Sequence, residues 1–233
     1  MSERIYSIDF LRGIAIIMMA LFHFLFDLNY LGFMNISLYT GFWGIFQKIT
    51  ISLFLLLVGV GIAISRKNRG NFELHMLKRA AFLFAVAAFI TAVTYILFPE
   101  NFIYFGIIHL IAVSLLLAIP FAGKKIEAFV AGIGIILVSL VVNTKTFNIP
   151  FLFWLGFSPV RQTFDFVPLF PYFGLVLIGI FIGNALIKHL KSLDMFELAR
   201  NKFILRFGRN SLAIYLLHQP IIFGFLYIIK NFL

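Results

Sequence analysis

Four ionisable side chains interrupt the first long apolar run of this 233-residue chain: Asp9, Arg12, His23 and Asp27. Wound into an α-helix at about 100° per residue, all four fall on a stripe roughly 60° wide. Asp9 and Arg12, one turn apart, can pair, and the guanidinium suits an anion. About 16 Å further along the axis stands His23. Asp27, one turn beyond it, can orient the imidazole and raise its basicity for proton transfer. A second polar face comes late in the chain, where Ser211, Tyr215 and His218 follow i, i+4, i+7 spacing. Pro220 then removes a backbone donor, which predicts a freed carbonyl and a kink. His109 lies alone in another apolar run, at a depth similar to that of His23. Each reading has a plainer counterpart: a polar stripe that only joins helices, Asn210 and Ser211 as helix caps, or a lone core histidine. No two histidines have ligand spacing on one helix and there is no cysteine, so no metal is expected.

The elements that must carry these residues are membrane helices. Hydrophobic residues make up 62% of the chain and charged ones 12%, and the mean hydropathy is +1.05. A soluble globule is nearer half apolar and a quarter charged. The composition also excludes a nucleic-acid binder despite a net charge of +10. Apolar runs at 7–28, 42–65, 80–98, 102–121, 127–143, 168–187 and 210–229 predict an all-α, polytopic membrane protein with about seven spans in one domain over 1–233. The first run holds Asp9 and Arg12 and has no cleavage site after it, so it is read as a mature helix rather than a signal peptide. With the N-terminus cytosolic, only Lys48, Lys145, Arg161 and Lys230 of the 19 Lys and Arg residues fall outside. That asymmetry fits the positive-inside rule and puts the C-terminus outside. Residues 144–167 predict an aromatic outer segment. Residues 192–207, opened by an Asp194/Glu197 capping pattern, predict a helix in the membrane plane. Hydropathy shows no paired inverted repeats of the transporter kind.

Positive charge gathers at the inner mouth: Arg66, Lys67, Arg69, Lys78, Arg79, Lys124, Lys125, Arg206 and Arg209. Topology alone explains most of it. Arg12 and Arg79 lie at or inside span starts, deeper than topology requires, and an anionic ligand with phosphates would suit them.

Three longer stretches and one short one carry a family resemblance. SIDFLRGIAIIMMALFHF (7–24), with Arg12, ten residues and then His23, resembles the first helix of the transmembrane acyltransferase superfamily. FDFVPLFPYFGLVLIGIFIGNAL (164–186) and FGRNSLAIYLLHQPI (207–221) resemble helices of prokaryotic relatives of heparan-α-glucosaminide N-acetyltransferase, and FGIIHL (105–110) fits the fourth helix. The match covers most of the chain, in order. It implies a multi-pass enzyme of the cell membrane that takes an acyl group, acetyl the expected one, from cytosolic acyl-CoA. The acceptor would be a hydroxyl or amine at the extracytoplasmic side, a sugar the expected bearer. Acetyl-CoA would be the donor, with no metal. His23, Asp27 and His109 would be catalytic. Arg12, Asp9, Arg66, Arg69, Lys78, Arg79 and Arg209 would hold the donor, and Asp165, Ser211, Tyr215 and His218 the acceptor. The eukaryotic enzyme looks to have Asn where His23 stands and its catalytic His in the following outer loop, whereas residues 29–41 here contain no His. The base would then be His23, by direct transfer or through an acyl-histidine. A small transporter or lipid-flipping protein using the same stripe is the alternative, and a membrane scaffold is a third class. A homodimer is open, the Gly59-x-Gly61 pattern being too weak to define its face.

Overall fold

The computed structural model describes residues 5–142, 150–158, 162–185, 192 and 201–232. Eight α-helices are found among them: α1 (Tyr6–Tyr30), α2 (Gly41–Asn68), α3 (Phe72–Leu97), α4 (Ile107–Leu117), α5 (Lys125–Val142), α6 (Leu169–Ala185), α7 (Lys202–Arg209) and α8 (Ser211–Phe232). Short 3-10 turns cover Ile119–Phe121 and Pro150–Leu155. The one β-type contact among the described residues is a parallel bridge between Phe105 and Phe166. The all-α expectation therefore holds. Five helices, α1, α2, α3, α5 and α8, are long and apolar enough to cross a membrane. They leave large side chains such as Phe42, Phe89, Ile96, Val141 and Phe225 more than 60% exposed, a surface that only lipid would cover. The chain is a multi-pass membrane protein.

Two of the seven expected runs are shorter helices. In the run 102–121 the helix α4 has only 11 residues. Its first five residues stay extended because the connector before α6 satisfies them. The Thr163 hydroxyl donates to the Phe102 carbonyl at 2.8 Å, and the Val167 N–H donates to the Phe105 carbonyl at 3.3 Å. Non-helical backbone is stable at membrane depth when protein supplies its partners. Helix α6 has 17 residues and departs from helical geometry at Phe170. By contrast α3 begins eight residues before the expected run at 80, so Arg79 sits two turns inside the helix, on its exposed side. Pro220 does not break α8, which runs through it.

The chain divides into two compact units. The first comprises 1–57 and 187–233, with α1, the first part of α2, α7 and α8. Helix α7 starts at a side-chain cap, where Asn201 Oδ1 accepts the Phe203 and Ile204 N–H groups at 3.0 and 3.2 Å. The Asp194/Glu197 pattern lies outside the described residues. Helix α7 packs on the first turns of α1. A Cβ on Gly13 would run into the Ile204 carbonyl, and one on Gly208 into the Asp9 carbonyl.

The second unit, 58–186, is closed by backbone contact between small residues. Helices α5 and α6 cross at Gly132 and Gly174. A Cβ on either would come within 2.8 or 2.7 Å of the other's carbonyl oxygen. Gly59 meets the backbone of α6 at Val176 and Gly179, and Gly183 meets Ala63 and Val60. The Gly59 face is therefore filled from within the chain. Gly132→Val is expected to destabilise the protein in lipid nanodiscs by about 1–3 kcal/mol of overpacking, read as a lower melting temperature. Gly134→Val, on the same helix with nothing within 4 Å of its added Cβ, should leave it unchanged. Equal losses would refute the close-crossing account.

Candidate functional site

Helices α1 and α8 run parallel, and polar residues mark successive contacts along them. Asp9 lies 3.8 Å from Arg209 just before α8, His23 contacts His218, Asp27 bonds Gln219, and the Tyr30 and Phe223 rings are 6.2 Å apart. Of the stripe expected on α1, His23 and Asp27 meet α8, and Asp9 meets Arg209 at the end of α7. The inward face of α1 buries Asp9 and Asp27 among Ile8, Ile16 and Met19.

The histidine pair has a defined sense. His218 Nδ1 lies 2.6 Å from the Tyr215 carbonyl, so that nitrogen carries the hydrogen and donates it. Its Nε2 is then an acceptor. His23 Nδ1, 3.2 Å from that Nε2 and 3.1 Å from the Met19 carbonyl, faces two acceptors and must be protonated. The lone pair of His23 is left on Nε2, which has no hydrogen-bond partner among the described residues. A half-buried imidazole with one nitrogen fixed as donor and the other free can act as a general base or a nucleophile. Asp27 does not orient it directly. Its Oδ1 accepts the Gln219 Nε2–H at 2.8 Å instead. Geometry explains the correction: Asp27 is on the buried side of α1, and α8 presents an amide there.

At the N-terminal end of α1, Asp9 is shared by two guanidinium groups, Arg12 at 3.6 Å and Arg209 at 3.8 Å. Arg209 also lies over the Tyr6 ring, 5.9 Å from its centroid. Beside them Tyr6, Lys202, Leu205, Arg206, Arg209 and Asn210 line a cavity of about 600 Å³. Lys202, Arg206 and Arg209 give the cavity a cationic lining, which favours an anion. Of the expected donor residues, Asp9, Arg12 and Arg209 are brought together here. Arg66, Arg69, Lys78 and Arg79 belong to the second unit and are exposed, with Arg66 5.3 Å over the Phe72 ring. Tyr6 and Lys202 were not anticipated as lining. Lys202 was legible only as topology, and Tyr6 carries no charge to signal it.

His109 is committed to structure in the second unit. The Gly106 N–H donates to its Nδ1 at 3.2 Å, its Nε2 lies 3.2 Å from the Thr91 hydroxyl, and that hydroxyl donates to the Ile103 carbonyl at 2.7 Å. Both ring nitrogens are used, and the histidine closes the first turn of α4. Asp165 serves the same turn, accepting the Ile107 N–H at 3.0 Å. Burial pushes its carboxyl up to about 6, with the Ile107 N–H pulling the other way. Helix N-termini favour such a carboxylate, so the structure gives Asp165 a capping contact rather than an open acceptor face. Ser211 is half-buried at the start of α8, and the Tyr215 ring stands 5.7 Å from that of His218. No group of three His, Cys, Asp or Glu side chains placed to hold a metal occurs among the described residues. The residue that sequence reasoning passed over is Gln219, next to a singled-out histidine but neutral and so without a signal of its own.

Residues 4–220 match the family described as heparan-alpha-glucosaminide N-acetyltransferase, catalytic. No curated protein and no solved structure matches the chain.

The hydrogen-bond pattern makes a spectroscopic prediction. In ¹⁵N-histidine-labelled protein at neutral pH, His23 and His218 should show protonated Nδ1 and unprotonated Nε2, and His109 the reverse. A protonated Nε2 on neutral His23 would remove the base assignment.

Proposed function

Because the chain belongs to the heparan-alpha-glucosaminide N-acetyltransferase catalytic family, a family of membrane acetyltransferases, we propose that it moves an acetyl group from cytosolic acetyl-CoA to a hydroxyl or amine at the other face. The observation that carries this reading is the free Nε2 of His23, held as an acceptor by the His218 contact. It lies on the same helix as the Arg12–Asp9–Arg209 cluster, about 16 Å along from Arg12. The CoA phosphates dock at the cavity of Lys202, Arg206 and Arg209, where charge-assisted bonds favour them. The pantetheine arm follows α1 to His23. There Nε2 takes the proton of the acceptor as its oxygen or nitrogen bonds to the thioester carbonyl carbon. The C–S bond then breaks, and the proton passes from His23 to the departing sulfur. A sugar acceptor fits the glucosaminide in the family's description. His109, with both nitrogens engaged, supports α4 and is not part of this step.

Sidedness follows the same argument. Parallel α1 and α8 support an odd number of crossings, since both run from the same face. Seven crossings with the N-terminus cytosolic put Lys202, Arg206 and Arg209 on the CoA side. Cysteines introduced at Ser37 and at Asn68 test this with an impermeant thiol reagent on intact cells. Position 37 should label from outside and position 68 only after permeabilisation, and the opposite pattern would reverse the orientation.

The activity is tested on full-length protein in nanodiscs, with acetyl-CoA as donor, glucosamine as probe acceptor and free CoA as the readout. His23→Ala should cut turnover about 10²–10⁴-fold and leave CoA affinity intact. Lys202→Ala and Arg209→Ala should each weaken CoA binding about tenfold while sparing a pantetheine thioester without phosphates. CoA release by folded His23→Ala at the wild-type rate would end the mechanism. Transport without any CoA release would favour the transporter reading.

A further inference from the structure

Asp27 reaches the base by way of α8. Its Oδ1 accepts the Gln219 Nε2–H at 2.8 Å, and Gln219 adjoins His218, whose Nε2 faces His23 Nδ1 at 3.2 Å. On α1 the two contacts are one turn apart, and on α8 one residue apart. They are successive rungs between the same two helices. Asp27 has no exposed surface, and a hydrogen bond to a carboxylate in such surroundings is strong and directional. It is also costly, because Asp27 Oδ2 and Gln219 Oε1 are both buried without a hydrogen-bond partner. Apolar side chains would join the helices with less penalty. A polar contact adds what apolar packing lacks, a fixed rotation of α8 about its own axis. His218 sits one residue away, so that rotation decides where its Nε2 points.

We infer that Asp27 and Gln219 are a positioning pair: their hydrogen bond sets the rotation of α8, holds His218 Nε2 against His23 Nδ1, and so adds to the Met19 carbonyl in keeping the His23 lone pair on Nε2. The kinetic consequence rests on the acyl-transfer reading; the geometric one does not.

Gln→Glu and Asp→Asn keep side-chain shape, so the polarity of the bond can be reversed. Gln219→Glu alone sets two carboxyl groups together and removes the donor. Asp27→Asn combined with Gln219→Glu puts the amide on α1 and the carboxylate on α8, restoring a charge-assisted bond. Three quantities are measured on the full chain in nanodiscs: the ¹⁵N pattern of His23, kcat for CoA release from acetyl-CoA with glucosamine, and melting temperature. Gln219→Glu leaves only the Met19 carbonyl to hold the His23 Nδ1–H, so it should mix the other tautomer into the His23 pattern and lower kcat roughly 10- to 100-fold, less than the loss of the base itself. The double variant should recover the pattern and bring kcat back to within about threefold of wild type. The inference falls if Gln219→Glu lowers only the melting temperature, with the His23 pattern and kcat of the folded protein unchanged. It falls equally if the double variant is no better than the single. Should Gln219→Glu not fold, Asp27→Leu takes its place: with no acceptor opposite the Gln219 amide it should mix the other tautomer into the His23 pattern, and a wild-type pattern there overturns the inference. A wild-type protein with the expected His23 pattern that releases no CoA defeats the acyl-transfer reading alone, and the ¹⁵N comparison still judges the pair.

Discussion

The Nδ1–H of His218 is held by the backbone of its own helix, 2.6 Å from the Tyr215 carbonyl, and the candidate centre is arranged around that commitment. Once this hydrogen is fixed, His218 can offer His23 only a lone pair, and His23 must answer with its own Nδ1–H. A second histidine next to a base usually raises the question of which ring takes the proton. Here the backbone decides it. One ring is anchored at both nitrogens and the other at one.

The two units solve the problem of polar groups in lipid in different ways. In the second, hydroxyls and carboxylates close off backbone that has left the helix: Thr91, Thr163, Asp165 and His109 all bond main-chain groups around 102–107. Their partners are complete, and glycines bring the helices to backbone contact. In the first unit the polar groups meet one another across a seam, and several are left incomplete. His23 keeps a free nitrogen, and Asp27 and Gln219 keep unpaired oxygens. Incomplete satisfaction in a low-dielectric setting is expensive, a cost that the proposed acyl transfer would account for.

The stripe on α1 was legible because ionisable residues in an apolar run are few and a helix has one period. Asp9, Arg12, His23 and Asp27 could be aligned before any partner was known. The pairing of that stripe was not legible. Helix periodicity says which residues share a face, not which other helix covers it, and so Asp27 was given to His23 when Gln219 takes it. His109 misled for a related reason: an apolar run was read as helix from 102, whereas extended backbone up to Gly106 turns that histidine into a cap. The charge count could not separate Lys202 and Arg209, which line a cavity, from Arg66 and Arg69, which are exposed.

The seam between α1 and α8 joins side chains 195 and 192 positions apart in the chain. At a synthesis rate of about 5–20 residues per second, α1 enters the bilayer some 10–40 seconds before α8 exists to meet it. During that interval the nascent helix carries a carboxylate and an imidazole that have no lasting partner, in a medium that penalises both. A waiting segment of this kind needs shelter, from the insertion machinery or from the water at its edge. The histidine pair comes together only after every intervening helix has been threaded, so a truncated product would keep the α1 half of the seam, Asp9, Arg12, His23 and Asp27, and none of the partners that meet it.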